Sequence, residues 1–277
     1  IYMQLLPETC VFKSEFLILI TPITMKKILL VLIIISSAYV SRAGDEVNDF
    51  EDMLMGWSES FLLKVPDYYT DTLNFLLKDD ESYWHVVFED DTYSIHRSKN
   101  PGARFIITAS METFSKIFSG QLSPMTAIGR SSIYEAAPLD FILGEGITIG
   151  MIDWNYAYFT VINFFNKHPN NKVLLGRDHS RTVHGGNVVG LYYSVGYRSA
   201  WYNLAKGQVL NEEGEKDPWQ QSFIITQGSG YAKIGNDTLR IKADEAYYIR
   251  PNVEHKVWTD SEEGVSLIWN AWGNEAW

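Results

Sequence analysis

The side chains best suited to proton or metal chemistry near neutral pH are the 6 histidines, because imidazole titrates there without a special environment. His255 lies in the run "ADEAYYIRPNVEHKVW", behind a Pro-Asn turn and ahead of an aromatic strand-like segment. In a folded interior it could act as a general base, or hold a buried hydrogen bond. His179 and His184 lie close together in "DHSRTVHGGN", a pair that could reach a site or simply bond within its loop. Nucleophile and phosphate chemistry have no such foothold. The chain shows no Ser-His-Asp arrangement, no phosphate-cradling Gly loop and no His-rich zinc spacing. Tyr193, Trp201, Tyr231, Tyr247 and Trp258 fall on strand-like runs, where they form either small-molecule walls or an ordinary β core.

Cys10 is the only cysteine, and it falls in a segment expected to be lost. From Met25, Lys26 and Lys27 precede the apolar run 28–35, and Ser41-Arg42-Ala43 offers small residues for cleavage. Residues 25–43 therefore read as a secretory signal, and 1–24 as upstream translation. The expected compartment is extracytoplasmic, with no stable membrane insertion after cleavage, since the run is short for a span of roughly 20 residues. Removing the four basic and two acidic residues of that leader from the 23 and 34 of the whole chain leaves net −13. Phosphate backbones would repel such a surface, which argues against nucleic-acid binding.

The elements that must position these side chains fall into two groups. Phe50, Met53, Leu54, Trp57 and Phe61 recur at helical spacing before Pro66. Tyr83–Phe88 and Tyr93–His96 flank an acidic turn as a hairpin, followed by a strand at Phe105–Thr108 and a helix opened by Ser110. Ile152, Tyr156, Phe159, Ile162 and Phe165 predict another helix over 149–165, stopped at His168-Pro169-Asn170-Asn171. Domains are thus expected at 44–168 and 169–277. The second is a series of short strand-like runs broken by Gly, Asn and Asp, the pattern of a β-sandwich or barrel.

The stretch "YWHVVFEDDTYSI" followed by "ARFIITASMETFSKIFSGQLSPMTAIGRSSI" resembles the lipid-transfer domain of the sterol carrier protein family in its order of hairpin, strand, helix, turn and short helix. The resemblance implies an α+β domain around an apolar tunnel, with Phe114, Ile117, Phe118, Met125 and Ile128 as candidate ligand contacts or as plain core. The stretches "QQSFIITQGSGYAKIG" and "ADEAYYIRPNVEHKVW" resemble the two motifs of the cupin family, an all-β double-stranded β-helix. In the second, Asn252 stands in for the turn glycine and His255 takes the metal-ligand position.

That resemblance implies a site of three imidazoles and a carboxylate, yet here the other ligand positions fall on Glu215, Asp217 and Gln221. No cofactor is the first expectation. A divalent ion (Fe, Mn, Ni or Zn) on His255, Glu215 and Asp217 is the alternative. With Tyr193, Trp201, Gln221, Tyr231 and Tyr247 as candidate barrel contacts, the leading expectation is an exported binding protein for an apolar, lipid- or sterol-like molecule. The alternative is a cupin-type isomerase, lyase or dioxygenase acting on a hydrophobic substrate. The resemblance also implies pairing of two copies through the barrel. Expression with the leader in a secreting host should yield a product whose intact mass begins at Gly44; retention of residues 25–43 would contradict the signal.

Overall fold

The computed structural model describes residues 50–130, 135–167 and 171–273. The leader, Cys10 and the stop at His168-Pro169-Asn170 lie outside the described residues. The first helix, α1 (Phe50–Leu62), buries Phe50, Met53, Leu54, Trp57 and Phe61, the stripe its spacing predicts. Beneath it lies a sheet of β1 (Asp71–Leu77), β2 (Ser82–Glu89), β3 (Thr92–His96), β4 (Phe105–Ala109) and β5 (Asp140–Leu143). Their order is β3-β2-β1-β4-β5, with only β1 and β4 parallel. β1 is absent from the predicted elements, although Leu73, Phe75 and Leu77 alternate onto the core.

Three further helices complete this half: α2 (Met111–Phe118), α3 (Pro124–Ile128) and α4 (Trp154–Phe164). Each starts on a side-chain cap, with Ser110, Ser123 and Asp153 accepting the backbone N–H three residues on. The cap at Asp153 corrects the predicted helix over 149–165. Its first residues form a 3₁₀ turn, and the buried stripe is Ala157, Thr160, Val161 and Phe164, whereas Phe159 is 42% exposed. Aromatic rings fill the core by edge-on contacts, including Trp57 on Phe165 at 4.8 Å and Phe61 on Phe88 at 5.2 Å.

The second half is all β. Its strands are β6 (Arg181–Val183), β7 (Gly186–Ser194), β8 (Tyr197–Leu204), β9 (Val209–Leu210), β10 (Gln220–Ile234), β11 (Asp237–Lys242), β12 (Ala246–Ile249), β13 (His255–Trp258) and β14 (Val265–Trp272). They run β6-β7-β8-β14-β10-β13-β9, with β11 and β12 also on β10. The stretch "QQSFIITQGSGYAKI" runs through its glycines as one long strand, β10. Its first part pairs with β14 and β12, and its second with β11 and β13. A bulge between Ile225 and Gln227 and the left-handed Gly228 (φ 74°) let it change partners. A Cβ on Gly228 would lie 2.1 Å from the Gly264 carbonyl oxygen. A second core of Phe223, Ile225, Ile241, Val257 and Leu267 fills the curled sheet.

The two halves share one compact unit spanning Asp49–Trp277. α3 lies on β7: the Gly190 N–H donates to Thr126 Oγ1 at 2.9 Å, and Arg181 Nη1 donates to the Thr126 and Gly129 carbonyls at 2.9 and 2.7 Å. No helix among the described residues is long and apolar enough to cross a membrane. Gly190 permits the approach, since an added Cβ would fall 2.7 Å from the Met125 carbonyl carbon. Gly190→Ala should therefore cost about 1–3 kcal/mol, measured as a lower midpoint in urea against Gly150→Ala, whose Cβ meets nothing within 4 Å.

Candidate functional site

A left-handed turn begins the site. After Pro251, Asn252 takes φ 60°, a conformation that asparagine tolerates better than most residues. The Asn252 N–H then donates to the Asp217 carbonyl at 2.7 Å, and the His255 N–H to the Glu215 carbonyl at 3.4 Å. Two backbone bonds thus lay the 215–217 segment alongside the start of β13.

The His255 side chain is 1% exposed. Its Nδ1 lies 3.0 Å from the Val253 carbonyl. A carbonyl only accepts, so Nδ1 carries the proton, and in the neutral ring Nε2 keeps a lone pair. Nε2 lies 3.5 Å from Asp217 Oδ2. That gap is longer than a good hydrogen bond. Gln221, 1% exposed on β10, donates from Nε2 to the same Oδ2 at 2.9 Å, while its Oε1 accepts from Trp269 Nε1 at 2.6 Å. The indole thereby fixes which end of the amide faces the acid. Beyond Asp217, His184 Nδ1 lies 3.1 Å from Glu215 Oε1, and the Glu212 N–H donates to Glu215 Oε2 at 3.0 Å.

The two carboxyls are pushed in opposite directions. The hydrogen bond from His184 outweighs burial and holds Glu215 below the usual carboxylate range. Burial raises Asp217 above it, against the pull of His255 and the Gln221 amide. Burial also pushes the Tyr202 hydroxyl well up, with Tyr193, Glu215 and Asp217 adding to it.

These groups face a cavity of about 120 Å³. Barrel strands supply its apolar walls, Val183, Val188, Leu210 and Phe223, and α3 with its following turn adds Met125, Thr126, Gly129 and Arg130. The α+β half therefore covers the mouth of the barrel.

A Cupin domain model matches residues 200–270, and an SCP-2 sterol transfer family model matches residues 64–131. The chain joins an SCP-2 segment to a cupin domain. No curated protein matches it. Among solved structures, a Cupin 2 conserved barrel domain protein from Salinispora arenicola CNS-205 is 17% identical, with a TM-score of 0.33 over 37% of this chain and 87% of that one. The plu4264 protein from Photorhabdus luminescens is 15% identical, with a TM-score of 0.35 over 38% and 89%. An RmlC-like cupin from Shewanella frigidimarina NCIMB 400 is 14% identical, with a TM-score of 0.31 over 34% and 80%. Likenesses this distant say nothing of activity.

At the positions other than His255 where the cupin resemblance places metal ligands, the side chains bond their neighbours. Glu215 is engaged by His184 and Asp217 by Gln221, and the Gln221 carbonyl is turned to Trp269. Among the described residues, no three His, Cys, Asp or Glu side chains form a metal-holding group. The cupin cavity gathers Met125, His184, Tyr193, Glu215, Asp217, Gln221 and His255 from the predicted residues. It does not gather the others. Tyr231 stacks on Trp258 at 5.6 Å, Tyr247 donates to Glu245 Oε2 at 2.6 Å, and Trp201 sits on β8 away from the lining. In the SCP-2 half, Phe114, Ile117 and Ile128 belong to the buried core, with Phe118 packed against it. His179 bonds the Gln121 carbonyl at 3.0 Å, outside the cavity.

Tyr202, Trp219, Arg198 and Trp269 line the cavity without having been singled out from sequence. Trp269 pairs in register with Phe223, so only a correct strand alignment would have found it. Asp217→Asn provides a test of the electrostatics. A raised carboxyl makes the folded state hold more protons than the unfolded one, so its contribution to stability falls as pH climbs from about 4 through the folded value. The variant should gain on wild type at pH 8, read as a higher melting temperature. The gain should vanish near pH 4; an equal difference at both pH values would refute the assignment.

Proposed function

We propose that this chain is an exported small-molecule-binding protein whose ligand, an apolar body bearing hydrogen-bonding groups, sits in the cavity at the barrel mouth. The observation that carries the reading is one cavity built by both halves, where apolar side chains such as Val183, Val188 and Phe223 stand beside polar ones that include His255, Asp217, Gln221 and Arg198. The SCP-2 match supports an apolar ligand. The aromatic packing of Phe114 with Phe50 and Trp57 favours placing that ligand at the junction over a tunnel through the α+β core. On this reading the SCP-2 half is the roof of the site. Solvent extraction of purified protein should release close to one equivalent of a small organic molecule, and Val188→Trp, which fills the cavity, should prevent its capture. Protein that extracts empty and binds nothing after Val188 is left intact would sink the proposal.

One observation favours a second reading, acid–base catalysis on the same ligand. His255 presents a fixed tautomer with Nε2 toward the cavity, next to a carboxyl that burial favours in its protonated form. His255→Gln should then remove turnover of the extracted compound and leave its affinity within a few-fold. Loss of affinity without any wild-type turnover would favour binding alone.

A further inference from the structure

Two hydrogen-bond donors in the cavity wall have no acceptor among the described residues. The first is the indole N–H of Trp219, whose Nε1 is buried and unpartnered. The second is the guanidinium of half-buried Arg198 on β8. Its carbon lies 5.6 Å from the Trp219 ring centroid and 5.8 Å from that of Tyr193, so two rings line its faces. No acidic side chain pairs with it among the described residues, and both Arg198 and Trp219 line the cavity. Arg130, which shares that lining, is by contrast neutralised by Asp140 at 2.7 Å.

The acidic groups nearby do not answer these donors. Glu215 is held by His184, and Asp217 Oδ2 already takes the Gln221 amide. A buried donor left unmade costs its full desolvation, and a ring-stacked guanidinium still offers the N–H groups along its edge. An acceptor with negative charge would answer both donors at once. A hydroxyl could satisfy the indole but leaves the guanidinium uncompensated, and an ammonium would be repelled.

We infer that the ligand carries a carboxylate, bound at its two oxygens by the planar fork of Arg198 and by the Trp219 indole N–H. This rests on the small-molecule reading above and narrows it to amphipathic acids, with the apolar body against Val183, Val188 and Leu210. Arginine matches a carboxylate two-to-two, and indole is a donor only. Both features select an anion.

The test uses the full chain with butanoate, butan-1-ol and butan-1-amine as probes, followed by calorimetry and by the indole N–H resonance that Trp219→Phe removes. Butanoate should bind saturably, shift that resonance, and exceed the alcohol and the amine by about tenfold or more. Trp219→Phe keeps the ring under Arg198 and should weaken butanoate about tenfold, and Arg198→Gln by about ten- to a hundredfold. In both variants the loss for butanoate should exceed the loss for the alcohol. If Arg198→Gln fails to fold, Trp219→Phe decides alone. Butanoate binding no tighter than butan-1-ol, or unweakened by Trp219→Phe, overturns the carboxylate. Such a result leaves the wider reading to the extraction experiment, which tests it separately.

Discussion

The site depends on a backbone contact more than on any side chain. The bond from the Asn252 N–H to the Asp217 carbonyl, 2.7 Å long, holds a polar loop against a strand that would otherwise present His255 to an empty mouth. It requires Asn252 in the left-handed region, where a β-branched residue would be strained. With that turn in place, the Glu215 carbonyl meets the His255 N–H, Asp217 comes level with Nε2, and Gln221 on β10 can reach the same carboxylate. Sheet pairing then does the rest. The long β10 brings Gln221 and Phe223 into register with β14, so Trp269 sits where its indole can set the amide.

Two acids separated by one residue illustrate how local environment divides the labour of identical chemistry. Glu215 has a donor imidazole and a backbone N–H, and stays ionised. Asp217 has less to offset its burial, and its proton is held more tightly. Partial burial favours the neutral form of such an acid, which needs no counter-charge. The guanidinium of Arg198, near the rings of Trp219 and Tyr193, adds a positive charge to the same lining. The cavity therefore mixes both signs of charge with apolar side chains.

Much of this was legible in the sequence where a pattern is local. The α1 stripe, the Ser110 cap, the β2–β3 hairpin and the positive φ at Asn252 all follow from residue types a few positions apart. What failed is what depends on distant partners. The α4 stripe was only partly right: Ile152 and Phe165 are buried, whereas Phe159 is exposed and Val161 and Phe164 turn inward after the cap at Asp153. Of the barrel aromatics, Tyr193 reached the cavity and Trp201, Tyr231 and Tyr247 did not, since strand register alone decides which face a ring occupies. Arg198 and Trp219 carry no motif at all; their unpaired donors are visible only once both are in one wall.

Gly190 and α3 have a mechanical consequence. Because the helix beside the barrel is seated on β7 with no room for a side chain between them, it cannot be displaced by side-chain rotation alone. Moving it off the strand would break the bonds from Gly190 and Arg181 together.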